Sequence, residues 1–268
     1  MSRAKPPATP GDASASVTWS KLRTLTTARI GLARSGASLA TPPLLEFRLA
    51  HARARDAVHQ AADFRALTAA FAGFGMPVLT VESAAPDRPT YLMRPDLGRQ
   101  LAPAARETLA SHAGTADLVI TVADGLSAQA IERHAAPLLG ALLPALAAEH
   151  WRLAPLVLVS QGRVAIGDAV AAALGAAAVV MLIGERPGLS APDSLGAYVT
   201  WRPTPATTDA DRNCISNIRP EGVGYPDAAF KLAYLLREMR RRGLSGVGLK
   251  DESGSLGEAV LGMPIEER

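Results

Sequence analysis

Two hydrophobic rhythms alternate along the chain. Short unbroken apolar runs, bounded by Gly, Pro or Asp, are separated by longer segments whose apolar positions recur every three or four residues. The runs Val78 to Val81, Ala116 to Val122, Pro155 to Ser160, Ala178 to Ile183 and Leu195 to Trp201 predict strands. The periodic segments Leu101 to Ser111, Gln129 to Glu149 and Gly167 to Leu174 predict helices, the second carrying Pro137 and Pro144 as kink sites. Pro226 opens a last helix with Leu232, Leu235, Leu236 and Met239 on one face, and Gly243 closes it. The Ala-rich stretch Ala169–Ala178 reads as core helix, and no internal repeat is present. Continuous apolar strands alternating with helices are buried on both faces. The expected fold is therefore α/β: a Rossmann-like, mainly parallel sheet with helices on both faces, preceded by an N-terminal helical extension.

Upstream of the first strand the pattern thins. Residues 1–20, rich in Pro, Ala, Ser and Thr, read as a flexible tail. Residues 21–75 read as a helical interface segment. Thr41 is placed to cap a helix with Pro42 in its first turn. Leu45, Leu49 and Ala52 form a narrow stripe flanked by Arg48, Arg53, Arg55 and Asp56. Such a helix fits against another subunit or stands solvated. Residues 61–74 continue helically to Gly73 and Gly75, candidate left-handed stops. Residues 76–243 form the α/β domain, and 244–268 a C-terminal extension.

Composition sharpens the class. With 48% hydrophobic and 20% charged residues, a packed core is expected. The first 60 residues hold nine Lys/Arg against three Asp/Glu, the remainder nineteen against twenty-two. That asymmetry predicts an acidic partner for the first part. Aromatic residues are not interleaved with the basic ones, so a protein partner is favoured over nucleic acid. No apolar run reaches the roughly 18 residues of a membrane span, and no apolar h-region marks a secretory signal. The single cysteine, Cys214, excludes an internal disulfide and points to an intracellular protein.

Candidate chemistry collects after the strands, where open parallel sheets bind ligands. Three loops qualify: Asp124 to Ser127, Gln161 to Val164 and Gly184 to Gly188. Each sets a glycine beside a polar or charged side chain, which suits either the rim of a large ligand or an ordinary connection. Asp124 could cap the following helix, Arg163 could be a solvated charge, and Glu185 could pair with Arg186. A dense polar segment, Thr208 to Gly222, suggests a loop folded into an interface or over a polar ligand. Gly-rich dinucleotide, Walker, nucleophile-elbow and His-Glu-x-x-His motifs are absent. His51, His59, His112, His134 and His150 are scattered, and Cys214 has no neighbouring His.

At these residues the sequence resembles the small subunit of ethanolamine ammonia-lyase. The matching blocks are Thr27 to Leu32, Leu49 to His59, Tyr91 to Arg99, Val122 to Ser127, Val159 to Val164, Leu182 to Leu189 and Arg212 to Ile218. The resemblance implies a hetero-oligomer with a large TIM-barrel subunit. It implies conversion of ethanolamine to acetaldehyde and ammonia by a radical path that starts from adenosylcobalamin. The large subunit is expected to hold the amino alcohol, and this chain to cover part of the corrinoid. The corrinoid contacts carried over are Val164, Glu185 and Cys214, with Asp124, Gly125, Leu126, Ser127 and Arg163 added by loop position. The Asp-x-His-x-x-Gly pattern of many cobalamin domains is absent, since Asp124 is followed by Gly125, Leu126 and Ser127. No cobalt ligand from this chain is therefore expected. The expected location is the bacterial cytoplasm, with a bacterial microcompartment left open. Two other readings stand beside this one: a non-catalytic assembly protein docking through its basic N-terminal region, and an unrelated Rossmann-like nucleotide enzyme. The missing glycine fingerprint counts against the second, and the rim loops with the polar segment against the first.

Overall fold

The structure, a computed structural model, describes residues 18–26 and 28–254. The proposed tail up to Val17, Thr27, and the extension from residue 255 onward lie outside the described residues. Six strands form one sheet: β1 (Val78–Glu82), β2 (Ala116–Ala123), β3 (Leu156–Ser160), β4 (Ala176–Gly184), β5 (Leu195–Trp201) and β6 (Arg212–Ile218). Their spatial order is β1-β3-β2-β4-β5-β6. The first four neighbours are parallel; β5 and β6 add on as antiparallel strands.

The helices are α1 (Thr41–His59), α2 (Phe64–Phe71), α3 (Arg88–Met93), α4 (Pro103–Ala110), α5 (Ala128–Ala148), α6 (Ile166–Leu174) and α7 (Tyr225–Arg242). A further helical turn covers 18–23, and a two-residue β-ladder joins Arg34–Ser35 to Ser38–Leu39. Side chains alternate across each strand, so the sheet feeds two cores. Leu118, Ile120 and Val122 pack with Phe71 of α2, Leu138 of α5 and Leu232 of α7 on one face. Val119, Ala123 and Met181 pack with Leu109 of α4 and Val170 of α6 on the other. Each fully buried Leu, Ile or Val contributes about 1.5–3 kcal/mol, which makes β2 and β4 the spine of the fold.

The predicted strands are present, with small boundary shifts. Four features differ from the sequence reading. Thr41 does not cap α1: Ala40 holds that position without a side-chain bond, while Asp63 caps α2 by accepting from the N–H groups of Arg65 and Ala66. The helical segment 61–74 is thus a capped α2 followed by a single 3-10 turn that ends at Gly75, φ 69°. The Ala-rich stretch splits at Gly175, whose left-handed φ of 70° ends α6 and lets Ala176 begin β4. Most consequentially, the polar segment read as a loop contains β6, the edge strand of the sheet. Meanwhile α5 runs through both of its prolines.

The connections set the geometry of the site. Chain leaving β1 and β3 crosses by α4 and α6 on the second face, whereas chain leaving β2 crosses by α5 on the first. Adjacent β2 and β3 therefore diverge to opposite faces, and their carboxyl ends mark the switch point.

Candidate functional site

The switch point is filled by protein. Asp124 follows β2 and is 2% exposed. Its carboxylate accepts from backbone N–H groups of Gly162, Gln161 and Gly125 and faces Arg88 at 3.4 Å. Burial pushes this carboxyl up to about 6, with Arg88 the strongest opposing influence. Arg88, from the first turn of α3, also donates to Gly125 O at 2.8 Å, to Gln161 Oε1 at 3.2 Å and to Val58 O of α1 at 2.7 Å. Tyr91 stands beside it, buried, with the guanidinium groups of Arg88 and Arg163 over its ring at 4.8 and 4.2 Å. Its hydroxyl donates to Gly162 O at 3.1 Å. The crevice where an open α/β sheet would receive a nucleotide is thus occupied by an ion pair and a tyrosine.

The same contacts place the weaker rim candidates. Gly125 has φ 55°, and a methyl there would collide with the Gly184 carbonyl. The Leu126 N–H donates to that carbonyl at 2.9 Å. Ser127 is buried and donates to Pro192 O at 2.8 Å. Arg163 donates to Tyr91 O at 3.2 Å. Asp124, Gly125, Ser127 and Arg163 are thereby committed to neighbouring protein groups, and Leu126 keeps a half-buried side chain.

Glu185 and Cys214 come together elsewhere, beside Tyr198 on the antiparallel side of the sheet, while Val164 in the β3–α6 loop packs on the second-face cluster. Because β5 runs opposite to β4, the end of β4 meets the start of β5 and the end of β6. Glu185 just after β4 sits in that corner. Its carboxylate accepts from the Ser194 hydroxyl, from the Ser216 hydroxyl at 2.5 Å and from the Asn217 N–H at 3.2 Å. Cys214 pairs with Tyr198 across β5 and β6. Although the residue is exposed as a whole, its thiol is partly desolvated beside Tyr198, which raises the cysteine above its ordinary value; the Tyr198 hydrogen bond opposes this and the negative charge of Glu185 adds to it. The cysteine is therefore a neutral polar contact rather than a thiolate nucleophile. Val164 and Tyr198 are half-buried, and both pack on the second-face apolar cluster.

One buried ion pair fixes the edge strand. Arg212 of β6 donates to both carboxylate oxygens of Asp168 on α6, each at 2.6 Å, and to Thr200 Oγ1 at 3.1 Å. Sequence reasoning included Arg212 in the polar segment but missed Asp168, Arg88, Tyr91 and Tyr198. Only the polar density of 208–222 and the block Tyr91–Arg99 hinted at them. The local pairing of Glu185 with its neighbour Arg186 does not form. Arg186 is exposed, and the Glu185 carboxylate turns to Ser194, Ser216 and Asn217 instead.

A profile of the family described as ethanolamine ammonia-lyase light chain (EutC) matches residues 16–250. The chain belongs to this light-chain family. An ethanolamine ammonia-lyase small subunit from Azotobacter vinelandii is 57% identical over 239 residues, 88% of each chain. One from Ralstonia nicotianae is 56% identical over 237 residues, covering 87% of this chain and 88% of the relative. One from Pseudomonas fluorescens Pf0-1 is 54% identical over 253 residues, covering 93% and 90%. Membership makes the chain a subunit of a lyase with a large-subunit partner, and the filled switch point agrees with a family that is not a dinucleotide enzyme. Among the described residues no helix is long and apolar enough to cross a membrane, and no cluster of three His, Cys, Asp or Glu could hold a metal ion.

Proposed function

We propose that this light-chain member covers the corrinoid of an adenosylcobalamin-dependent ethanolamine ammonia-lyase, at the interface with the large subunit. The observation that supports the reading is the corner where Glu185 and Cys214 meet beside Tyr198, with Val164 half-buried on the same face of the sheet. The donor set suits a corrinoid. A carboxylate held by three hydrogen bonds still has lone pairs free for amide N–H groups of the ligand fringe. A half-buried valine suits the ring's methyl groups, and a neutral thiol can donate or accept weakly. When bound, adenosylcobalamin supplies a cobalt–carbon bond that breaks homolytically to start the radical conversion of ethanolamine to acetaldehyde and ammonia.

This chain's share is binding and orientation. Ser194, Ser216 and the Asn217 N–H fix the Glu185 carboxylate so that its outward lone pairs keep one direction. The Arg212–Asp168 pair holds β6, and with it Cys214, against α6. Cover from this face removes water from one side of the ligand, which protects radicals from side reactions. None of the described histidines reaches this corner. His134, the buried one, bonds the Tyr225 hydroxyl at 2.9 Å on the opposite face. The cofactor accordingly keeps its own lower base. Docking to the large subunit uses α1, where Leu45 and Leu49 are 56% and 52% exposed beside Arg48, Arg53 and Arg55.

The test is co-expression with the large subunit and an assay of adenosylcobalamin-dependent acetaldehyde formation. Turnover by the co-purified pair, absent from this chain alone, is the expected result; an inactive pair refutes the reading. Electron paramagnetic resonance showing protein histidine nitrogen on cobalt would contradict the lower-base assignment.

A further inference from the structure

The loop that carries Val164 leaves β3 through a residue in an unfavourable conformation. Gln161 has φ 56° and is not glycine. Left-handed backbone brings Cβ close to the following carbonyl oxygen, a contact that glycine escapes and that asparagine and aspartate tolerate best. Among the described residues, four non-glycine positions have positive φ: His150, Gln161, Arg202 and Asn217. Two of them sit beside the proposed corrinoid contacts. Gln161 lies three residues before Val164, and the Asn217 N–H donates to Glu185 at 3.2 Å. Such residues persist only where their surroundings over-determine them.

The surroundings of Gln161 do so from the switch point. Arg88 Nη1 donates to its Oε1 at 3.2 Å, and its backbone N–H donates to the Asp124 carboxylate. The same guanidinium faces Asp124 and donates to Gly125 O and to Val58 O of α1, so it ties the loop to the proposed docking helix as well. The Arg88 side chain is 11% exposed, which keeps these contacts away from water. Beyond Gln161 the segment after Arg88 braces the loop. The Tyr91 hydroxyl donates to Gly162 O at 3.1 Å, and the Arg163 N–H to Gly98 O at 2.7 Å. Gly98 leaves no space for a side chain: a methyl there would lie 2.8 Å from Arg163 Cγ and 2.9 Å from Tyr91 Cε2. Gly162 is pressed on Ala123 in the same way, at 2.8 Å. Every residue between β3 and Val164 is thus held from outside, and at Gln161 the hold works against the backbone's own preference.

We infer that Arg88 is a positioning residue for corrinoid binding: by gripping the Gln161 side chain it keeps the loop in its left-handed turn and sets the place of Val164. The inference rests on the corrinoid reading above. Arg88 acts from behind the loop, through Gln161, and not by contact with the ligand.

Equilibrium binding of aquacobalamin to the co-purified complex, read by absorbance titration, tests both sides of the Arg88–Gln161 contact. Gln161→Met keeps the length of the side chain, loses the acceptor and leaves the Arg88–Asp124 pair in place. It should weaken binding about tenfold, the scale of one non-glycine residue in the left-handed region. Gln161→Gly loses the acceptor too but adopts a φ of 56° freely, so it should stay within about threefold of the wild type. Packing alone gives the opposite order, since glycine removes more of the side chain. Arg88→Lys keeps a charge for Asp124 without the planar fork and should also fall about tenfold. Adding Gln161→Gly to it should restore binding to within about threefold of the wild type. Should Arg88→Lys fail to assemble, the order of the two Gln161 variants decides alone. Unchanged affinity in Gln161→Met overturns the inference. So does a loss in Gln161→Gly at least as large as in Gln161→Met, or a failure of Gln161→Gly to rescue Arg88→Lys. A wild-type complex that binds no aquacobalamin fails the corrinoid reading itself and the inference with it, whereas a binding wild type with any of those three results fails the inference alone.

Discussion

Arg212 and Asp168 offer the sharpest test of how the edge strand is held. The pair is bidentate at 2.6 Å, with side chains 3% and 14% exposed. Removing one partner of a buried pair costs about 3–5 kcal/mol, because the other charge stays buried and uncompensated. The two single changes are not equivalent. Arg212→Met leaves a carboxylate that can take up a proton or meet water, so it belongs near about 3 kcal/mol. Asp168→Leu leaves a guanidinium that cannot deprotonate, and only the exposed Asp209 stands near it, so it belongs nearer to about 5 kcal/mol. The double variant replaces the pair with apolar side chains and should cost no more than either single change. With about 3 and 5 kcal/mol for the single changes and no more than about 3 for the double, the coupling energy is at least about 5 kcal/mol. At about 2–4 °C per kcal/mol for a chain of this size, the single variants melt roughly 6–20 °C lower, and the double variant recovers most of the loss. Circular dichroism melts of all four proteins measure this. Additive single effects, or single effects below about 1 kcal/mol, would show that the pair does not hold β6.

Other positions give narrower tests. Gly125→Ala forces a side chain onto a φ of 55° and into the Gly184 carbonyl, so it should destabilise by more than about 2 kcal/mol, readable as a fall in Tm. Asp124→Asn removes a carboxyl whose folded value, about 6, lies above its ordinary 3.8. A raised acid favours the fold when protonated, so the wild type should lose stability as pH climbs from about 4 to about 6, by a change on the order of 3 kcal/mol that the variant lacks. Denaturant melts of both proteins at about pH 4 and pH 7 read the difference, and parallel pH profiles would count against the buried-carboxyl account. Glu185→Gln replaces a triple acceptor with a group that offers one oxygen, so the Asn217 amide should exchange its hydrogen faster; unchanged protection would mean that the carboxylate does not organise this corner.

The parallel half of the sheet was legible because burial on both faces writes itself as unbroken apolar runs, as in Leu118 to Ala123 and Ala178 to Ile183. β6 was not. Its only buried apolar residues are Ile215 and Ile218, its other buried residue is Arg212, and Cys214, Ser216 and Asn217 are exposed, so its sequence carries the polarity of a loop. The loop after β2 was recognised as a turn with special glycine chemistry, but its inward commitment depends on Arg88, which lies 36 residues before Asp124 and 30 after Val58. No local pattern records contacts of that range. Val164, Glu185 and Cys214 came from family resemblance, and the meeting of Glu185 with Cys214 depends on the reversal of β5, which the expectation of a mainly parallel sheet did not specify.

That reversal explains where a polar surface can exist in this fold. Three of the four parallel strands, β2, β3 and β4, are buried on both sides, and the switch point between β2 and β3 is closed by Arg88, Asp124 and Tyr91. Antiparallel strands need cover on one face only. β5 and β6 turn Ala197, Val199, Ile215 and Ile218 toward α5 and α7, and this leaves Tyr198 half-buried and Cys214 and Ser216 exposed on the other face. A ligand surface there costs the core nothing, since the inward residues alone stabilise the pair of strands. It also lies at the sheet margin, where a second subunit can close over it without displacing any helix. The proposed corrinoid cover fits that margin, whereas a nucleotide at the switch point would have to displace Arg88 and Tyr91.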